Sequence, residues 1–274
     1  MPVIVGVPRS GTTLLRVMLD AHPELAIPPE TGFVLDACRL DGEGDELRKR
    51  LLDTITRFHT WGVMGVSASA LRDRLRSIEP FDVAEGVRAF YRLYAARFGK
   101  RRFGDKTPMY RFHLEELEGL LPEARFIHII RDGRDVALSV RGFWFAPGED
   151  LKTLAADWRT GIVATRAQGS LVKRYLELRF EDLIISPERE LRRVCQFLEL
   201  RFDPPMLRYP ETATDRLREI GVGNPDPRNP VPKLAAQAPD SSRLGTWKHE
   251  MSRRERRQFK RVAGKLLREL GYES

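Results

Sequence analysis

The chain has 274 residues, 42% hydrophobic and 31% charged, and its 47 basic against 39 acidic residues give a net charge of +8. That length and apolar share suit one α/β domain with a real core, and two cysteines, Cys38 and Cys195, exclude a disulfide framework. The basic excess suits an anionic ligand; no nucleic-acid partner is expected, since no aromatic-interleaved basic motif or zinc spacing accompanies it, and no apolar run approaches the about 18 residues of a membrane span.

Val3 to Val7 is apolar and mostly β-branched, which predicts a buried parallel strand. A strand from residue 3 leaves no room for a signal peptide, so a cytoplasmic chain is expected. Pro8 stops the ladder, and Arg9, Ser10 and Gly11 turn the chain. Thr12 and Thr13 open a helix with Leu14, Leu15, Met18 and Leu19 on its apolar face. Strand, glycine turn and helix N-terminus together make a phosphate cradle. Gly6 and Gly11 have the P-loop separation, but Thr12 stands where a nucleoside-triphosphate enzyme has Lys. That favours a less charged phosphate; a plain βα unit with a glycine turn is the alternative.

Pro28 and Pro29 hold an extended segment that puts Glu30 on a loop. Residues 35–100 read as mostly helical. Leu47, Leu51, Ile55 and Phe58 form one stripe, and Val83, Val87, Phe90, Tyr91, Tyr94 and Phe98 another, with Asp82 as N-cap. Trp61 to Ser69 reads alternatively as a mobile acceptor loop. In RFGDKTPMY, Lys106 is expected on a loop at a strand end, where α/β proteins open their ligand crevice.

Phe126 to Ile130 predicts a second buried strand, with His128 as a satisfied strand histidine. Arg131 lies at its end, Asp132 to Arg134 turn the chain, and Ser139 falls about two turns into the helix from Asp135. An Arg131–Asp132 charge pair is the alternative to a ligand role for Arg131. Tyr175 to Phe180 predicts a third strand, and Ser186 with Pro187 a helix start. Residues 203–240, rich in Pro, Asp, Asn and Gly, are expected to wrap the surface as a lid or partner arm. The last helix, Ser252 to Leu270, carries a capping box (Ser252, Glu255), an apolar inner stripe and a basic outer face. Three βα units in one direction imply a parallel sheet with helices on both faces, within one domain over 1–274.

VPRSGTTLL followed by HP resembles the 5′-phosphosulfate loop of sulfotransferases that use 3′-phosphoadenosine 5′-phosphosulfate (PAPS). The longer run from Gly6 to Thr31 is similar to the opening of the protein-tyrosine sulfotransferase branch, and GDKTP and IIRDGRDVALS follow in the expected order. The resemblance covers 3–31 and 104–141, weakens over 175–200 and 240–250, and is absent over 35–100. It implies the sulfotransferase fold, an α/β architecture with a P-loop-like parallel β-sheet. It implies Glu30 as catalytic base, with Arg9 and Lys106 at the sulfuryl group and its bridging oxygen. Ser10, Gly11, Thr12 and Thr13 then hold the 5′-phosphate, and Arg131 and Ser139 the 3′-phosphate. Ser242, Arg243, Trp247 and Lys248 fall in a nucleotide-covering loop. Phe143 stands where the tyrosine branch has Arg, with Arg141 as the candidate substitute, and Phe180 replaces a common Tyr.

The expected reaction is in-line sulfuryl transfer from PAPS to a hydroxyl, without metal. Tyrosine or phenol is the first acceptor expected; carbohydrate, lipid or secondary metabolite are alternatives, and a homodimer is left open. Phe143, Trp144 and Phe145 read equally as an aromatic acceptor pocket or as packing. The rival functions are a degenerate P-loop nucleotide kinase or NTPase and a non-catalytic anion-binding module.

Overall fold

A computed structural model describes residues 1–221 and 235–272. Its strands are β1 (Pro2–Val5), β2 (Leu25–Ala26), β3 (Arg102–Phe103), β4 (Asp105–Lys106), β5 (Arg125–Ile130) and β6 (Tyr175–Arg179). Four form one parallel sheet in the order β4-β1-β5-β6, and β2 pairs in parallel with β3 beside it. Side chains alternate across a strand, so this sheet has two buried faces. Ile4, Ile127, Ile129 and Leu178 enter one core, and Val3, Val5 and Phe126 enter another.

The first core is covered by α1 (Thr12–Asp20), α10 (Phe180–Ile185) and α11 (Pro187–Phe197). The helical stretch anticipated over 35–100 is α2 (Phe33–Cys38), α3 (Gly44–Thr56), α4 (Trp61–Met64), α5 (Ala68–Arg76) and α6 (Val83–Ala96), which with α7 (Leu114–Leu120) build the second core. A third gathers α8 (Gly133–Val140), α9 (Leu151–Gly169) and the C-terminal helices around Trp158. Among the described residues no helix is long and apolar enough to cross a membrane.

Several local signals act as expected. Asp82 Oδ1 accepts from Glu85 N–H at 2.7 Å, and Ser252 and Glu255 cap each other's backbone. His22, in the HP pair after α1, accepts from Glu24 N–H at Nδ1 (3.0 Å), so its Nε2–H is the donor to the Arg201 carbonyl (2.9 Å).

Other expectations change. The first strand ends at Val5, because the Val7 carbonyl already accepts from Ser10 N–H (3.1 Å). Phe180 opens α10 instead of ending β6. Lys106 is not on a loop: Asp105 and Lys106 pair with Val3 and Ile4 as an edge strand. Trp61 to Ser69 is largely helical, with Met64 buried.

The start of the expected surface arm is packed. A 3₁₀ turn, Pro204–Arg208, leads to α12 (Pro210–Gly221), and Met206, Tyr209, Ala213 and Leu217 join the first core. Their spacing of three and four residues is helical, though prolines interrupt the stretch. Arg216 also makes two bonds to buried Asp20, at 2.6 and 2.9 Å. Residues 222–234 of that arm lie outside the described residues.

Candidate functional site

The turn after β1 is shaped by two positive φ angles, +72° at Arg9 and +101° at Gly11. Glycine is required at the second. A Cβ there would lie 2.3 Å from Phe180 Cδ2, in a conformation L-residues avoid. No side chain caps α1. Leu15 N–H bonds the Gly11 carbonyl at 3.0 Å, which leaves the amides of Gly11, Thr12 and Thr13 ahead of the helical ladder. Ser10 Oγ is buried without a hydrogen-bond partner among the described residues.

β5 neighbours β1, so the turn after β5 falls beside the first. Arg131 Nη1 donates to the Arg9 carbonyl and Nη2 to the Arg243 carbonyl, both at 3.3 Å. The guanidinium lies over the Phe180 ring, 4.7 Å from its centroid, and Nε has no partner among the described residues. Arg9 Nε donates to Ser139 Oγ at 2.9 Å. The two anion grips that the resemblance separates are therefore joined by direct contact. Asp132 pairs with Arg134 at 2.8 Å and caps α8, so the alternative Arg131–Asp132 pair does not form.

Burial pulls Arg9 down to about 10, with Arg131 adding to the shift. Burial lowers Arg131 too, and Asp135 and Glu181 oppose it. Both remain cations at neutral pH. Both guanidinium groups are poorly solvated, and a bound anion would offset that loss.

The pairing of β2 with β3 sends residues 27–31 alongside 104–107. Across that seam Lys106 Nζ donates to Glu30 Oε1 at 2.6 Å. The Lys106 side chain is 3% exposed and that of Glu30 44%, so a buried cation holds a half-exposed carboxylate. Thr60 Oγ1, from the helical block, donates to the Glu30 carbonyl at 2.8 Å.

The C-terminal candidates divide. Asp135 accepts from Gly245 N–H (2.8 Å), Trp247 N–H (3.0 Å) and Thr246 Oγ1 (2.9 Å), which ties this turn to α8. Arg243 reaches Arg131 through its carbonyl, while its side chain and that of Ser242 turn to Asp240, at 3.7 and 2.7 Å. Trp247 is buried in α13 (Trp247–Glu250), with the Arg134 guanidinium 3.5 Å from its ring centroid, and exposed Lys248 lies 5.9 Å from that ring. Asp135, which organises all this, was not among the sequence candidates; its partners lie more than a hundred residues away, and only its place at a helix start was visible.

Arg141 does not join the grip: its Nη2 donates to Glu255 Oε1 at 2.8 Å, at the start of α14 (Arg253–Glu269). Phe143 instead packs under Arg9, 5.1 Å from guanidinium to ring centroid. Phe145 stacks on Phe143 at 5.4 Å, and Trp144 projects 80% exposed. His128 bonds the Tyr175 hydroxyl at 2.6 Å, and burial drops it to about 3. Among the described residues no group of His, Cys, Asp and Glu could hold a metal.

A model of the Sulfotransferase family matches residues 3–204. The nodulation protein NoeE of Sinorhizobium fredii is 30% identical over 98% of this chain and 65% of its own length. Protein-tyrosine sulfotransferase A of Caenorhabditis elegans is 28% identical over 75% of this chain and 51% of its own. The chain thus spans less than two thirds of these relatives. Among solved structures, the sulfotransferase domain of the Synechococcus PCC 7002 olefin synthase aligns with a TM-score of 0.65 at 24% identity, over 100% of this chain and 95% of that one. Mouse sulfotransferase SULT7A1, solved in complex with PAP, aligns at 0.51 and 15% identity, over 97% and 84%.

Proposed function

We propose that this chain, which belongs to the sulfotransferase family, moves a sulfuryl group from PAPS to a hydroxyl-bearing acceptor. One observation carries the reading: the contacts of Arg9 with Ser139 and with Arg131 join two strand-to-helix turns into one cationic grip, at the same carboxyl ends of the strands as the Glu30–Lys106 pair. The PAP in the mouse relative supports a 3′,5′-bisphosphate as the occupant. The residues fit it. Uncapped amides at α1, with Ser10 Oγ and Arg131 Nε, which have no hydrogen-bond partner among the described residues, are the donors an oxygen-rich anion needs.

PAPS supplies a sulfuryl group on a phosphate leaving group. Thr12, Thr13 and the first-turn amides hold the 5′ end, and Arg131 with Ser139 the 3′ end. Glu30 takes the acceptor proton. Lys106 and Arg9 neutralise charge that builds on the transferring group and the leaving oxygen. The relatives named for tyrosine and the Phe143–Trp144–Phe145 cluster support a phenolic acceptor.

The test is transfer of label from radioactive PAPS to phenols, tyrosyl peptides and glycans, beside calorimetry with adenosine 3′,5′-bisphosphate and with ATP–Mg²⁺. Labelled product with bisphosphate binding is expected, and preference for a glycan would replace the phenolic acceptor. Binding of ATP–Mg²⁺ alone would replace the whole reading with a nucleotide kinase or NTPase.

A further inference from the structure

We propose that Thr31 is the positioning residue that sets the Glu30 carboxylate on Lys106, with Asp105 as the buried acceptor that holds it. The proposal rests on the sulfuryl-transfer reading and adds residues to it. Thr31 is fully buried, and each of its polar atoms is engaged. Its N–H donates to Thr107 Oγ1 at 2.9 Å. Its carbonyl accepts from the Tyr110 hydroxyl, and its own hydroxyl donates to Asp105 Oδ2. Tyr91, from α6, donates to the same Asp105 oxygen at 2.7 Å.

The partners fall in a telling order. Asp105 and Thr107 are the two neighbours of Lys106, and Thr31 is the neighbour of Glu30. The Glu30–Lys106 contact is therefore one rung of a short ladder whose other rungs are buried and bonded through Thr31. Glu30 itself is nearly half exposed, and an exposed carboxylate on a free loop would sample many rotamers. The Thr31 bonds and the Thr60 bond to the Glu30 carbonyl fix the peptide unit that joins Glu30 to Thr31.

Asp105 is an uneconomical way to fill a core. Burial raises its pKa, hydrogen bonds from Thr31 and Tyr91 oppose the shift, and its Oδ1 has no hydrogen-bond partner among the described residues. An apolar residue would cost less there, so the network is better explained by the geometry it imposes. A misplacement of about 1 Å at a reacting group costs about a hundredfold in rate.

The experiment compares wild type, Thr31→Val and Thr31→Ser, with PAPS as donor and 4-nitrophenol as acceptor. In the Val variant kcat should fall about tenfold to a hundredfold. KM for PAPS and Kd for adenosine 3′,5′-bisphosphate should stay within about threefold, and Ser should restore kcat. A Val variant with wild-type kcat, or a Ser variant as slow as Val, overturns the proposal. So does a loss of bisphosphate binding in step with kcat, which marks a merely structural role. A second readout needs no nucleotide. In ¹⁵N-lysine spectra the Lys106 ammonium should give a slowly exchanging signal in wild type and Ser that is lost in Val. Persistence of that signal in Val overturns the positioning role. Failure of wild type to bind the bisphosphate, with the NMR pattern intact, removes the donor reading and leaves the placement of Glu30 established.

Discussion

Lys106 Nζ meets Glu30 Oε1 at 2.6 Å across 76 residues of sequence, with the cation buried and the carboxylate half exposed. If Glu30 is the base, Glu30→Gln keeps the shape and removes the proton acceptor. Turnover should fall by about two orders of magnitude, with bisphosphate affinity within about threefold of wild type. Lys106→Met combined with Glu30→Gln should cost less than the product of the single effects, because each variant already breaks the same contact. Steady-state kinetics on the four proteins decides it; undiminished turnover in Glu30→Gln would exclude the role.

Arg131→Met removes the cation that touches both turns. A charge-assisted hydrogen bond is worth about 1.5–3 kcal/mol, so adenosine 3′,5′-bisphosphate should bind about tenfold to 150-fold more weakly by calorimetry. Ser139→Ala removes a neutral group and should cost less, about 0.5–1.5 kcal/mol. Equal affinity in Arg131→Met would place the nucleotide elsewhere.

His128 gives a prediction about stability rather than activity. It is fully buried and its pKa falls to about 3 from an ordinary 6.5. The folded imidazole is neutral, so in this window the unfolded chain binds the extra proton. Its contribution is complete above pH 6.5 and is lost as pH falls toward 3. Glu255, held down to about 2 by its Ser252 backbone bond and by Arg141, acts in the same direction but only below about 4.5. Between about pH 6.5 and 5, then, the His128 contribution should fall by about 1–2 kcal/mol. His128→Asn should flatten that slope in chemical denaturation; an equal slope in both proteins would clear His128 of it.

The readability of the sequence follows the range of the interactions. The turns that carry Arg9, Gly11 and Arg131 are legible because strand, turn and helix follow one another within a dozen residues, whereas the ligand roles rest on the resemblance. Lys106 reads from the sequence as a loop residue, whereas the fold makes it a strand residue. β4 is two polar residues whose strand character comes entirely from backbone pairing with Val3 and Ile4, which no side-chain pattern reports. Asp135 reads as an ordinary first-turn acid; its role appears only when Gly245 to Trp247 return to it. Arg141 was a plausible phosphate ligand until the fold set Glu255 beside it.

The order β4-β1-β5 has a metric consequence. Lys106 ends the first of these strands, Arg9 follows the second and Arg131 follows the third. Neighbouring strands lie about 4.8 Å apart, so the lateral distance from the carboxylate's cation to the outer guanidinium is set by main-chain hydrogen bonding at roughly two such steps. Loop sequences cannot stretch it. Evolution could therefore exchange the helices between β2 and β3 while the interval between the Arg131 turn and the Lys106–Glu30 pair stayed constant.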